Sequence, residues 1–430
     1  MNRFIKIFIL LLLVNLTTSI KSSAQTTDAL GSFTPYSMFG LGDISQQGTA
    51  YNKGMGGIGI GVTDNKYINY LNPASISNRD TLSFMLDFGI SQKNFYNKDE
   101  KARSAYNTFN MHNFVFSFPI YKKSAFIIGI SPFSDKGYKF ESTETDDESV
   151  AEFGDVKYQK YGTGGIYQAF AGASMMLTKR ISLGAQMIYY FGSIDMHNNA
   201  LFNSAVDNKS IYAGWDCKVK SFAGKFGVQY NQPLKDKNKS ITLGATYRMS
   251  SNLRGQYVNF AYTSVGDTII NKRYENMILR VASELGAGVS YRERDKLMVG
   301  VDYSFQDWNK SAFIPTPGVD FQPVSSHSVK AGFEYIPNRY DVRYYMKTVT
   351  YRGGLYYEKS FINIGGHQIN SLGLTLGMSL PIYRLNNAIS VAVDMGQRGK
   401  VANNLVRERY IMFNVNINIH DIWFQKFRYD

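Results

Sequence analysis

Hydrophobic and polar residues alternate along most of this chain. Ile411, Phe413, Val415, Ile417 and Ile419 are apolar, while Asn414, Asn416, Asn418 and His420 face the other way. Leu297, Val299, Val301, Tyr303 and Phe305 alternate with Gly300, Asp302, Ser304 and Gln306. Val329, Ala331, Phe333 and Tyr335 alternate with Ser328, Lys330, Gly332 and Glu334, and Leu372, Leu374, Leu376 and Met378 with Ser371, Gly373, Thr375 and Gly377. The same pattern runs through 181–191, 241–249, 285–291 and 389–395. A period of two sets one strand face in an apolar medium and the other in a polar one. No comparable stretch has a helical period.

About fourteen such segments follow one another, beginning near residues 81, 108, 124, 158, 180, 218, 240, 272, 296, 326, 348, 367, 387 and 405. Their connections alternate in length. Those at 96–107, 140–157, 195–217, 252–271 and 307–325 read as long loops. Those between are short and often basic: Lys122-Lys123, Lys179-Arg180, Arg292–Lys296 and Arg384–Asn386, with Pro337–Lys347 longer than the rest. Short turns at one end, long loops at the other and an even strand count predict an all-β fold, a transmembrane antiparallel β-barrel of about 14 strands. A water-soluble sandwich gives no reason for the length asymmetry.

Composition agrees. Of 430 residues, 44% are apolar, 15% aromatic and only 19% charged, which excludes a disordered chain. Mean hydropathy is -0.24, too polar for a bundle of membrane helices. One Cys excludes a disulfide scaffold and any multi-cysteine metal site. The 31 Tyr and 29 Phe suit barrel girdles, where rings sit between hydrocarbon and headgroup. Phe95-Tyr96, Tyr121, Tyr189-Tyr190-Phe191, Tyr257, Trp308, Tyr356-Tyr357, Tyr383 and Trp423-Phe424 lie near segment ends and are expected at the rims.

The first residues form a basic start (Arg3, Lys6), an apolar run from Ile7 to Val14 and a small polar stretch to Ala24. This reads as an export signal over 1–24, cleaved after Ala24, its apolar run too short to span a bilayer core of about 30 Å. Losing Arg3, Lys6 and Lys21 takes the net charge from +13 to about +10. The expected location is the cell outer membrane.

Residues 25–80 differ from the rest. They carry Gly40-Leu41-Gly42, then Gly54-Met55-Gly56-Gly57-Ile58-Gly59-Ile60-Gly61, then Asn72-Pro73-Ala74. Gly54 to Gly59 formally matches G-x-G-x-x-G, but a polar stretch precedes it and no helix follows, so a dinucleotide site is not expected. Such glycine density suits a compact loop packed against other backbone. A wide polar lumen needs a plug, and 25–80 is the expected hatch, with 81–430 the barrel.

These segments resemble the FadL-type outer-membrane transporters of long-chain fatty acids and other hydrophobic compounds. The resemblance rests on Gly40-Leu41-Gly42, Gly54–Gly61 and the Asn72-Pro73-Ala74 motif, and on Val301-Asp302-Tyr303 through Asp307-Trp308. Gly396-Gln397-Arg398-Gly399 and the Trp423-Phe424 ending look like the Bacteroidota branch, which includes paralogues in protein-secretion and barrel-assembly machines. The resemblance implies that a hydrophobic ligand is caught outside, passes to an apolar pocket against the hatch, and leaves sideways through a break in the third strand. Here that strand reads Ile127-Ile128-Gly129-Ile130-Ser131-Pro132-Phe133-Ser134-Asp135. Pro132 cannot donate to a ladder and demands a bulge or interrupted pairing. Gly129, Ser131, Pro132 and Phe133 are therefore the candidate lateral gate, against the plainer reading of a harmless bulge.

Other chemistry is weakly signalled. Glu141, Glu144, Asp146, Asp147, Glu148, Glu152 and Asp155 fit no calcium-loop spacing. His112, His197, His327, His367 and His420 lie in separate segments without metal-ligand spacing. Neither metal, cofactor, enzymatic activity nor nucleic-acid partner is expected. The basic turns fit anionic lipid heads or an acidic partner, or simply stay in water and pin the barrel's depth. The expected function is passive transport of hydrophobic small molecules such as long-chain fatty acids through the plugged barrel, with lateral exit; the alternative is a non-transporting structural and interaction subunit of an outer-membrane secretion or assembly complex with periplasmic or outer-membrane protein partners. A ligand-sized apolar cavity favours the first. A lumen of charged pairs with a conspicuous exposed face on the loops or turns favours the second.

Overall fold

The computed structural model describes residues 32–422 apart from 80–82, 101, 122, 204–207, 237, 276–278, 315, 317, 383–386 and 404. The expected export signal, the first residues of the expected hatch, Tyr383 and the Trp423-Phe424 ending lie outside the described residues.

The alternating segments form a closed antiparallel barrel of fourteen strands. These are β1 (Ser83–Lys98), β2 (Arg103–Tyr121), β3 (Ser124–Asp135, continued by Tyr138–Thr143), β4 (Val156–Met176), β5 (Ile181–Phe202), β6 (Ile211–Pro233) and β7 (Lys239–Arg248, continued by Ser251–Thr263). There follow β8 (Thr268–Tyr274, Leu279–Val281 and Ser283–Glu293), β9 (Leu297–Asp307), β10 (Ser326–Tyr335), β11 (Thr350–Ile364), β12 (His367–Pro381), β13 (Ala388–Arg398) and β14 (Arg407–Ile422). Each strand pairs with the next, and β1 closes on β14 from Ser83 opposite Ile422 to Lys98 opposite Arg407. Closure removes the free edges that a bilayer cannot satisfy. No helix among the described residues is long and apolar enough to cross a membrane.

The period of two becomes an outside and an inside. On β12, Leu372, Leu374 and Leu376 are exposed while Ser371, Thr375 and Ser379 are buried. On β14, Asn414, Asn416 and Asn418 are buried inward, and Phe413, Ile417 and Ile419 are exposed.

Two expectations change. The long connections at 195–217 and 252–271 are mostly strand: β5 runs to Phe202, β6 starts at Ile211, β7 ends at Thr263 and β8 starts at Thr268. These outer halves keep their ladder but stand clear of lipid, so nothing enforces alternation; Thr268–Arg273 is exposed throughout. The rim aromatics also divide. Tyr96, Tyr121 and Tyr357 are exposed, but Phe95, Tyr190, Tyr257, Trp308 and Tyr356 are buried. Consecutive rings on a strand point to opposite faces, so one of each pair turns inward.

Candidate functional site

Residues 32–79 touch the inward side of every strand. Their regular structure is slight: a turn of 3-10 helix at Pro35–Met38, a two-residue strand Asp43–Ile44, a helix Ala50–Lys53 and a second 3-10 turn Pro73–Ser77. What holds them is glycine on the wall. A Cβ at Gly184 (β5) would overlap Pro73, at Gly227 (β6) Asn72, and at Gly244 (β7) Ile60. At Gly288 (β8) it would lie 2.6 Å from Gly61 N, at Gly332 (β10) it would overlap Met55, and at Gly354 (β11) Gly56. At Gly377 (β12) it would come 2.8 Å from Gly54 Cα. The wall thus has a belt of glycines against which 54–61 and 72–74 lie, backbone to backbone except at Gly227, which meets the side chains of Asn72 and Pro73.

Each N-terminal motif has a place on this belt. Gly56 N–H donates to Thr375 Oγ1 at 2.7 Å, and Gly56 and Gly57 both have positive φ, which turns the chain under β10 and β11. The amides of Gly59, Ile60 and Gly61 converge on the Asp302 carboxylate of β9 at 2.6, 2.7 and 3.3 Å. The amide cradle that G-x-G-x-x-G suggested is therefore filled by the protein's own carboxylate. Asn72 caps the Pro73–Ser77 turn by accepting from Ala74 N–H at 3.0 Å. Its amide donates to Ile60 O at 2.8 Å and to Val228 O on β6 at 3.3 Å. Ala74 O accepts from Ser174 Oγ on β4 at 3.1 Å. Leu41 is fully buried, and a Cβ at Gly42 would sit 2.5 Å from Asp135 O.

Charged pairs bind the same segment to the wall. Arg398 and Lys93 reach Asp43 at 2.8 and 3.5 Å; burial alone would raise the Asp43 carboxyl, and these cations hold it below its usual range. Arg292 reaches Asp64 at 3.1 Å. Arg352 pairs with Glu334 at 2.9 Å while its guanidinium lies 4.6 and 4.7 Å from the stacked rings of Tyr51 and Tyr67. Lys53 is buried, with Nζ 3.3 Å from Asn414 Oδ1; burial, opposed by Asp394 and reinforced by Lys93, brings its ammonium down to about 7.

Between this segment and the wall lies a cavity of about 260 Å³. Lys53, Lys93, Lys225, Arg248, Lys330 and Arg398 line it together with Asp43, Asp135, Glu284, Asp302, Glu358 and Asp394. Phe133, Trp308 and Phe361, with Ile44, Ile60, Leu71, Phe95, Ile188, Ile362 and Met412, supply an apolar portion beside these charges. Arg248 of β7 pairs with Glu284, its ladder neighbour on β8, at 3.1 Å. An apolar solute there would lie against paired and hydrogen-bonded charges and would displace water from those not already satisfied within the protein. Towards the loop end, Trp308 stacks on Phe361 at 4.7 Å and Phe39 meets Phe321 at 5.1 Å, so residues 308–323 fold over the N-terminal segment.

The candidate gate residues fall at a seam. Pairing of β2 with β3 stops at Phe114 opposite Ile130, and among the described residues 103–113 of β2 pair only with β1. Pairing of β3 with β4 shifts register between Pro132 and Ser134. On the edge that β2 has left, β3 pairs with the N-terminal segment, Asp43 opposite Asp135 and Ile44 opposite Ser134, while the same two residues keep Gly165 and Ile166 of β4 opposite them. Ser131 bonds Gln47 Oε1 at 3.2 Å, Pro132 O accepts from Gln47 Nε2 at 3.0 Å, and Phe133 packs on Tyr190 at 4.8 Å. Gly129 lies against Phe170 and Phe114. The acidic loop is elsewhere: Glu141 pairs with Lys139 and Lys157 at 3.1 and 2.9 Å, and Asp146 caps the helix Asp147–Phe153. No group of three metal-ligating side chains converges among the described residues.

The sequence profile of one family matches residues 4–430, and its description is BamG. The chain belongs to the BamG family. None of the curated proteins matches this BamG-family chain. Solved structures do. The toluene transporter TbuX of Ralstonia pickettii is 15% identical with a TM-score of 0.58, over 87% of this chain and 98% of that one. The toluene transporter TodX of Pseudomonas putida is 17% identical with a TM-score of 0.58, over 89% and 99%. A FadL homologue from Pseudomonas aeruginosa is 14% identical with a TM-score of 0.57, over 87% and 99%. At these identities the likeness is one of fold: this BamG-family barrel shares the form of those two toluene transporters and that FadL homologue.

Alternation puts Asp302, Lys330 and Glu334 on polar faces, but neither their partners nor the glycine belt follows from it. Gly300, Gly332 and Gly377 stood on the polar faces of their segments. Glycine recurring at mid-strand on the inward side was the available signal.

Proposed function

We propose that this BamG-family chain is a structural and interaction subunit of an outer-membrane protein secretion or assembly complex, with residues 25–80 a fixed hatch rather than a moving one. The observation that carries this reading is the lumen: its cavity is small and lined by opposed charges, and the hatch is clasped on seven strands, mostly backbone to backbone. Gly40, Leu41, Gly42, Gly54, Gly56, Gly57, Asn72, Pro73 and Ala74 serve as the hatch's wall contacts. Purification under mild detergent tests it. The expected result is stoichiometric protein partners rather than a lipid-like ligand, together with loss of growth on every carbon source after deletion.

A second reading is passive transport of hydrophobic small molecules, such as long-chain fatty acids, with lateral exit past Gly129, Ser131, Pro132 and Phe133. The fold shared with TbuX and TodX and the seam between β2 and β3 favour it. Replacing Pro132 by Val tests it: hydrophobic uptake at the unaltered rate in Pro132→Val removes the lateral gate.

A further inference from the structure

At the end of the barrel where β1 begins and β14 ends, few residues separate Tyr121 from Ser124, Met176 from Ile181, Pro233 from Lys239, Glu293 from Leu297 and Pro381 from Ala388, whereas the turn 336–349 between β10 and β11 is long. This long turn is well ordered by its own bonds. Asn338 N–H donates to Lys347 O at 2.9 Å, and the Asp341 carboxylate accepts from Arg343 N–H at 2.9 Å and Tyr344 N–H at 2.7 Å while pairing with Lys347 at 3.5 Å. It is tied to both neighbours: Tyr345 O–H donates to Pro381 O at 3.0 Å, and Arg339 reaches Asp295 at 3.7 Å. Lys66 of the hatch holds the same Asp295 carboxylate at 2.8 Å.

Yet this turn exposes large apolar side chains. Tyr340 is 79% exposed, Val342 102%, Tyr344 50% and Met346 58%. A rigid, aromatic- and Met-bearing surface with arginine is the composition of an interface core, not of a solvated turn. Its two nearby acids, Asp341 and Asp295, are occupied internally, which leaves Arg294, Lys296 and Arg343 as exposed positive charge. Arg339 of the turn and Lys66 of the N-terminal segment share the Asp295 carboxylate, which ties the turn to that segment at the rim.

We propose that residues 336–349 are the docking surface for a periplasmic protein whose binding face is an apolar groove bordered by carboxylates. This rests on the subunit reading above. Val342 and Tyr340 enter the groove, and Arg343 meets its acidic border.

A photoreactive benzophenone residue in place of Val342 in the full chain, irradiated in its own membrane, tests the surface. The expected product is one adduct to a discrete protein, crosslinked at a peptide rich in apolar and acidic residues, and reduced about tenfold by Arg343→Glu. Heat-resistant migration of the unboiled barrel shows that each variant is folded. Adducts to lipid alone, no adduct, or an adduct indifferent to Arg343→Glu overturn the proposal. Partners that stay bound at full stoichiometry to Val342→Asp also overturn it but leave the subunit reading standing; a wild-type chain that purifies alone overturns both.

Discussion

Asn72 of the hatch and Gly227 of β6 stand so close that a Cβ at 227 would overlap the Asn72 Oδ1. The same oxygen accepts from Ala74 N–H, so it cannot swing away without uncapping the Pro73–Ser77 turn. Gly227→Ala is therefore expected to displace 72–74 and cost about 1–3 kcal/mol as overpacking. Gly332→Ala, against Met55, should behave likewise, and Gly266→Ala, with open space around its Cβ, serves as control, subject only to its positive φ. Unfolding temperature of the detergent-solubilised barrel measures the difference.

Asp302 satisfies three hatch amides at once. Asp302→Ala leaves them buried without an acceptor, each at about 1–3 kcal/mol. Amide hydrogen exchange over 57–62 should rise by at least about tenfold, since about 1.4 kcal/mol is a factor of ten. Asp302→Asn, which keeps one accepting oxygen, should fall between.

The fourteen strands could be read from sequence because lipid and lumen impose opposite demands on alternate residues, as Leu372, Leu374 and Leu376 against Ser371 and Thr375 illustrate. Where a strand leaves the bilayer that constraint lapses, and residues 252–271 read as loop. Asn72-Pro73-Ala74 and the glycines at 54–61 were visible as a motif, but their partners were not. The pairing of Gly61 with Gly288, or of Asp302 with three amides more than 200 positions earlier in the chain, depends on barrel register. Trp308 was misplaced for a related reason: at a strand end, periodicity does not say whether a ring faces the bilayer or folds over the hatch.

Lys53 gives a pH signature. Its ammonium falls from the usual 10.5 to about 7 when buried, so between those values the unfolded chain binds more protons than the folded one. Stability therefore rises with pH across that window. Lys53→Met should reduce this rise, measured as unfolding temperature between pH 7 and pH 10 for both proteins.

Gly42 combines a φ of +101° with a built Cβ 2.5 Å from Asp135 O. Gly42→Val should part Asp43–Ile44 from β3 at the seam. The expected outcome is more ion leakage in planar bilayers and greater sensitivity of cells to large antibiotics than with the unaltered barrel.

The glycine belt also constrains the order in which the protein is made whole. A hatch touching seven strands, mostly through backbone, cannot be threaded into a finished cylinder, because no side chain can fold back to let it pass. The hatch precedes every strand in the chain, so it is present when the first hairpin forms. The strands close around it, and it acts as the mandrel on which the cylinder is wound.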